Sequence, residues 1–233
     1  MIHEEETGYQ TRAIPFFTGV AGGGRVIGIL RDHEPHEGVV LLSPAHVARL
    51  TEKKIEVVVE RGLGEHAGMS DLDFADAGVS VVDFPFEVIL QSQVVAKLTP
   101  FSLQEIAFLK NKQVVISTLE TGNLSIAYFQ HLLSRQITAF ALDYIKDKGG
   151  QRVMDRICFQ KTCSTGFFHT LGQWIGPLLY ALSTGTGTRN AIITQPMLMQ
   201  SLYCFNGIIT RADIAQKWHL PYRVFFDHEW SKN

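Results

Sequence analysis

A single α/β domain on a doubly wound, mostly parallel sheet is the fold this sequence predicts, flavodoxin-like or Rossmann-like, with helices on both faces and a helical C-terminal return. Three observations carry it. From Arg25 onward, short apolar runs alternate with amphipathic ones. The short runs are rich in Val and Ile, as strands buried on both faces require, and the amphipathic runs between them suit βαβ crossovers. Serine and proline signals mark where several of the helices begin.

Taken in order, RVIGIL reads as the first strand, and Ser43 before Pro44 reads as an N-cap followed by a favourable first residue for the helix PAHVARLTEKK. IEVVVE is the second strand. Ser70 with Asp73 three positions later opens the helix SDLDFADAG, and VSVV follows as a strand. PFEVILQS is helical and QVVAKL a strand; Ser102 with Glu105 forms a capping box for SLQEIAFLKN. QVVISTL, NLSIAYFQHLLSR and ITAFALDYI then read as strand, helix and strand, completing six strand candidates by about residue 145.

After Lys146 the texture changes: DKGGQRVMDR is a polar loop, and the remainder reads as helical. GFFHTLGQWIGPLLYALST is an apolar helix with Gly172 and Gly176 on one side, a spacing that allows close packing in the core or across a dimer interface. A glycine-threonine turn at Ser183 to Thr188 precedes a helix around Gln195 to Tyr203. A last helix spans Thr210 to Trp218, capped by Thr210 with Asp213 and stopped by Pro221. The expected organisation is an N-terminal extension over 1–24 and one domain over 25–233, with a βα core at 25–145 and C-terminal helices at 164–220 packing back on it.

Composition narrows the function classes. The 233 residues are 45% hydrophobic and 19% charged, which describes a globular protein rather than a disordered or fibrous one. A formal charge of −2 with no Lys/Arg-rich run leaves nucleic acid and anionic membranes without an electrostatic footprint. The opening MIHEEETGYQ is acidic where a secretion signal is basic, and no apolar run approaches the ~20 residues of a membrane span, so the expectation is a cytoplasmic protein. Cys158, Cys163 and Cys204 make neither an even disulfide set nor a zinc pattern and read as buried thiols.

VVVERGLGEHAGMSDLDFADAG places Gly62, Gly64 and Gly68 directly after a strand and raises the question of a phosphate cradle. A dinucleotide turn needs G-x-G-x-x-G after the first strand; here the spacing is G-x-G-x-x-x-G, after the second. Glu65 within the turn would repel a phosphate, and Ser70 with Asp73 already completes the next helix cap. A structural turn needing positive-φ glycines is the better reading. AGGGR precedes the first strand and reads as a lead-in. HEPHE, His33 to Glu37, is not H-E-x-x-H, and Pro35 prevents a helix from aligning both histidines, so no metal site is expected. DHEW reads as an exposed tail, with Phe225, Phe226 and Trp230 available to pack on a neighbour.

The run from Arg25 to Ile145 resembles the N-terminal domain of the alanine dehydrogenase and NAD(P) transhydrogenase alpha-subunit family. The likeness lies in LSPAHVARL, the glycine turn leading into Ser70, Asp71, Phe74, Ala77 and Gly78, and AKLTPFSLQEI. GQWIGPLLYAL and LYCFNGIITRADIAQKWHLPY resemble the helices that return to this domain after the family's NAD domain. Together the likeness spans about four-fifths of the chain.

The resemblance also implies what is missing. The family inserts a Rossmann domain between these segments, whereas about fifteen residues separate Ile145 from the returning helix here, and no strand–G-x-G-x-x-G–helix occurs. No cofactor is therefore expected. Where the family's arginine grips a 2-oxo acid carboxylate, this sequence has Val39, although Glu37 matches the family's glutamate; an isopropyl group cannot replace a bidentate guanidinium. Where the family has its acid/base histidine, this sequence has Glu120. Lys97 matches the first lysine of the family's L-K-V-K-E-P, and Leu98 holds the place of the substrate-binding second.

Lys97, Glu120 and Asp143 fall at the C-terminal ends of predicted parallel strands, where open α/β sheets place ligands, so they are the binding candidates. The plainer reading has Lys97 and Glu120 paired with each other or solvated, and Asp143 accepting backbone hydrogen bonds. The functional expectation is a degenerate family member acting as a ligand-binding, regulatory or assembly subunit, with a small carboxylate or amino acid as ligand. The alternative is a substrate-domain subunit of an alanine dehydrogenase-like oxidoreductase whose NAD domain comes from another chain, such as a family paralogue. A third reading uses Glu120 as base and Lys97 as electrostatic stabiliser in unrelated chemistry. A homodimer or larger homo-oligomer is expected, since the family assembles through this domain.

Overall fold

The computed structural model describes residues 25–32, 40–122, 124–147, 149–155 and 168–225, with side chains described from Gly172 in the last stretch. One sheet of eight strands organises them, in the order β3-β2-β1-β4-β5-β6-β7-β8. Strands β1 (Ile27–Ile29), β2 (Val57–Glu60), β3 (Ser80–Val82), β4 (Val94–Ala96), β5 (Val114–Ser117) and β6 (Thr138–Ala141) are mutually parallel. All but β3 are buried along their whole length, which is why they read as unbroken apolar runs without alternation. The 3-2-1-4-5-6 order is the Rossmann order, and the chain reverses direction across the sheet between β1 and β4.

Helices cover both faces. Helices α1 (Pro44–Thr51), α2 (Asp71–Asp76), α6 (Phe168–Ser183), α7 (Thr188–Thr194) and α8 (Pro196–Ser201) lie on one, over a core that includes Ile27, Val57, Ile116 and Phe140. Helices α3 (Pro85–Gln91), α4 (Leu103–Phe108), α5 (Ile126–Ser134) and α9 (Ala212–Trp218) lie on the other, over Val58, Val95, Val115 and Ala139. The period-2 alternation of strand side chains sends neighbours such as Val94 and Val95 to opposite layers.

Local chemistry explains the turns. Gly62 and Gly68 adopt φ of 75° and 71°, and Gly64, at φ −100°, is required for another reason: a Cβ there would sit 2.6 Å from the Met69 side chain. Ser70 and Asp73 form the reciprocal capping box of α2, and Ser102 and Glu105 that of α4.

Three expectations fail. Ser43 precedes α1 but makes no side-chain cap bond; its hydroxyl instead lies 2.7 Å from His46 Nδ1, in the core. The helix expected around Gln195 to Tyr203 is two short helices, broken before Pro196, followed by strand β7 (Leu202–Phe205). β7 pairs antiparallel with β6 and, through Asn206 and Gly207 at φ 47° and 76°, with β8 (Ile208–Ile209), so the C-terminal return is not wholly helical. Thr210 does not cap the last helix; Arg211 occupies that position, and its guanidinium pairs with Asp213 at 3.0 and 3.1 Å.

The two glycines of α6 also differ from each other. A Cβ on Gly172 would lie 2.1 Å from the His46 ring, so this glycine lets α6 close onto α1 within the chain, whereas a Cβ on Gly176 would meet nothing within 4 Å. Phe225 packs edge-on against Phe205 rather than standing free. Val39, Glu37, the histidines of HEPHE, Cys158, Cys163, Phe226 and Trp230 lie outside the described residues.

Candidate functional site

The C-terminal edge of the parallel strands, centred on the β1/β4 reversal, is where this topology opens a crevice. Four strands deliver polar side chains to it. Arg31 and Asp32 follow β1, Lys97 and Thr99 follow β4, Glu120 follows β5, and Asp143 follows β6.

Across the reversal itself, Asp32 Oδ1 accepts from Thr99 N at 2.8 Å and from Thr99 Oγ1 at 2.6 Å. This carboxylate clasps the loops after β1 and β4 together. On the β2 side, the Arg31 amide donates to Glu60 Oε2 at 2.9 Å, while its guanidinium lies 3.8 Å from the exposed Glu65. That last pair is long and largely in water, so it adds little stability.

Lys97 is committed. Its Nζ donates to both oxygens of Glu105, at 2.9 and 3.1 Å, and the two side chains are 4% and 5% exposed. Glu105 Oε2 also accepts from Ser102 N at 2.7 Å, so a single carboxylate closes the capping box of α4 and neutralises the lysine. Lys97 thus pairs with Glu105 rather than with Glu120. The neighbouring Leu98 is 2% exposed and belongs to the core on the opposite face.

Glu120 is exposed and stands at φ 38°, a left-handed conformation that costs a non-glycine residue on the order of 1 kcal/mol. Its nearest hydrogen-bonding group is the Thr118 hydroxyl, at 3.5 Å. Contacts on either side hold this backbone. Thr118 N donates to Leu98 O at 2.9 Å, Leu119 N donates to Asp143 Oδ2, and Lys217 Nζ from α9 donates to Thr121 O at 2.5 Å. Asp143 therefore serves the loop that carries Glu120. The structure brings Lys97, Glu120 and Asp143 to one edge, each with a different degree of freedom: locked, presented and bonded to backbone.

Beneath the edge lies a buried hydroxyl pair, Tyr128 and Tyr203, with oxygens 3.2 Å apart. Burial pushes the Tyr128 phenol up to about 12 and raises Tyr203 well above its ordinary value, while burial also pushes the Cys204 thiol to about 12. A thiol so protonated and enclosed is inert, as the sequence reading of a buried Cys expects. Among the described residues, no group of three or more His, Cys, Asp and Glu side chains is placed to hold a metal ion, and no helix is long and apolar enough to cross a membrane.

Sequence reasoning did not anticipate the Asp32–Thr99 clasp or the Lys97–Glu105 pair. The second had a signal: a glutamate already assigned to a helix cap stands eight residues after a lysine at a strand end, and a strand–loop–helix turn brings such residues together.

The pattern of the family described as "Alanine dehydrogenase/PNT, N-terminal domain" matches residues 28–159. The first portion of a divided NAD(P) transhydrogenase subunit alpha from Rickettsia prowazekii is 24% identical over 56% of this chain and 35% of its own. An alanine dehydrogenase from Mycolicibacterium smegmatis is 24% identical over 65% of this chain and 42% of its own. Among solved structures, an L-alanine dehydrogenase superposes with a TM-score of 0.51 at 23% identity, over 57% of this chain and 36% of that one. A transhydrogenase from Sinorhizobium meliloti gives 0.50 at 25% identity, over 57% and 40%. The matched region of this chain spans less than half the length of these relatives. With the sheet order, the glycine turn with its capping box, and a match over more than half of the sequence in agreement, this chain belongs to the alanine dehydrogenase/transhydrogenase N-terminal domain family.

Proposed function

We propose that this chain is a degenerate member of its family, a binding or regulatory subunit that takes a small carboxylate or amino acid in the crevice at the β1/β4 reversal and transfers no hydride by itself. The observation that carries the reading is the burial of Lys97 against Glu105, beside a Leu98 that belongs to the core. The β4 edge then offers a substrate no free ammonium group. Supporting it, Glu120 stands where the family resemblance implies a histidine, and no dinucleotide turn follows any strand of the sequence. In this reading 25–233 form one domain of a cytoplasmic protein that holds no nicotinamide cofactor of its own.

A second reading keeps the chain in an oxidoreductase. The relatives from Rickettsia prowazekii and Rhodospirillum rubrum are each named as one portion of a transhydrogenase alpha subunit. Such naming favours a division of labour between chains, with this one supplying a substrate domain and another the NAD domain.

Thermal melting against NADH, NADPH, pyruvate, glyoxylate and alanine, paired with a hydride-transfer assay, tests both. A ligand at 100 times its dissociation constant adds about 2.7 kcal/mol. Stabilisation by a carboxylate without turnover supports the binding subunit. Stabilisation by a nucleotide, or turnover by the chain alone, overturns it.

A further inference from the structure

We propose that the outer face of α3 and α4 is the surface through which two copies of this chain pair about a two-fold axis. Gly172, a sequence candidate for a dimer contact, is filled from within the chain by His46, so the α6 glycine stripe does not serve as one continuous contact. The α3/α4 face carries a contiguous apolar ridge. Phe84 stacks on Phe86 with centroids 5.5 Å apart, and Phe86 meets Phe108 of α4 at 5.9 Å. Phe84, Leu90, Leu103 and Phe108 are about half exposed, at 54%, 50%, 48% and 47%. Leu90 follows Phe86 by one helical turn and extends the ridge along α3. Scattered exposed apolar residues need no explanation, but three aromatic rings in mutual contact across two helices form the apolar centre of an interface.

The charges around the ridge identify the occupant. Both helices return between parallel strands, β3 to β4 and β4 to β5, so they run side by side in the same direction. At the end where they begin stand Asp83 and Glu87, with Arg61 paired to Asp83. At the end where they finish stand Lys110 and Lys112, with Arg135 donating to the carbonyls of Ile106, Ala107 and Leu109. Lys110 Nζ reaches Leu90 O at 2.8 Å and so lies on the edge of the ridge itself. One end is net acidic and the other basic. A two-fold axis through the ridge lays the acidic end of one copy over the basic end of the other, twice, and stacks the aromatic centres on each other. A self-complementary patch of this kind is what an isologous dimer requires. A stable interface buries about 800 Å² per partner, which the ridge and its charged rim share between them.

Sedimentation velocity of the full chain over a wide concentration range, with far-UV circular dichroism on each variant, tests the proposal. The wild type is expected to dimerise, and Phe108→Asp, on the exposed side of α4, to remain folded and become monomeric. Lys110→Glu and Glu87→Lys each place like charges opposite one another and are expected to raise the dimer dissociation constant about tenfold or more. Mixing those two variants restores both opposite-charge pairs in a heterodimer, and dimer mass is expected to return. A wild type that stays monomeric overturns the proposal, as does a dimer indifferent to both Phe108→Asp and Lys110→Glu. So does a mixture of folded charge variants that recovers nothing. Should Glu87→Lys fail to fold because Glu87 also bonds the Phe84 amide, Phe108→Asp decides alone.

Discussion

Removing the Glu105 carboxylate leaves the Lys97 ammonium in a pocket that water does not reach. Both side chains are about 95% buried, and the two bonds of 2.9 and 3.1 Å are what compensates the lysine for its lost hydration. Breaking such a pair from one side costs about 3–5 kcal/mol, and the loss of the α4 capping box adds to it. For a domain of this size Glu105→Ala is expected to lower the melting temperature by roughly 6–20 °C. Lys97→Met alone is expected to cost less, because Glu105 keeps its bond to the Ser102 amide. Lys97→Met combined with Glu105→Leu leaves no unpaired charge and should be more stable than Glu105→Ala, with a coupling energy of about 2 kcal/mol or more between the two sites. Urea unfolding monitored by circular dichroism supplies all the free energies of this cycle. A Glu105→Ala cost below about 1 kcal/mol with additive pairing would mean that the ammonium reaches solvent or another anion. The lysine would then be available to a ligand, and the reasoning behind the binding-subunit proposal would fail.

Three further outcomes are expected. Gly172→Ala drives a methyl into the His46 ring and should destabilise by about 1–3 kcal/mol, whereas Gly176→Ala meets open space in a helix and should stabilise by up to about 1 kcal/mol; melting curves of the two variants separate them. Asp143→Ala takes away the acceptor for the Leu119 amide, and hydrogen exchange at Leu119 and its neighbours should accelerate while the β5 amides keep their protection. Tyr128 has a folded value raised from 10.0 to about 12, so the stability tied to its phenol is fully present below pH 10 and is lost as pH rises toward about 12; ultraviolet titration should show it ionising only as the fold opens, and Tyr128→Phe should remove that share of the alkaline loss.

How much of this was legible in the sequence depended on whether the signal was local. The six parallel strands announce themselves because burial on both faces leaves only Val, Ile and Ala acceptable, as in Val94–Ala96 and Val114–Ser117. The boxes at Ser70 and Ser102 are closed by residues three positions away and could be read directly. The β7–β8 hairpin went unread although it holds the strongest short-range hairpin signal, Asn-Gly between Phe205 and Ile208. The apolar run LYCF continues PMLMQS without a break in pattern, so it looked like the end of a helix. Ser43 shows the opposite case: its position is that of a cap, yet a buried imidazole one turn away takes its hydroxyl. The state of the site was least legible. Lys97 and Asp32 look like free ionic groups in one dimension and are committed only once Glu105 and Thr99 are folded against them.

The antiparallel strand β7 also sets a schedule. β6 is buried along its full length, and its outer neighbour arrives late: Thr138 and Asn206, which bond across that seam, are 68 residues apart, and Cys204 reaches Ile137 O across 67. On the ribosome, at about 5–20 residues per second, the β6 edge waits roughly 3–14 s for its partner. During that interval the nascent chain displays a row of unpaired amides and carbonyls flanked by apolar side chains. Synthesis rate and chaperone occupancy over this stretch, more than the stability of the finished sheet, then govern how much of the protein escapes aggregation.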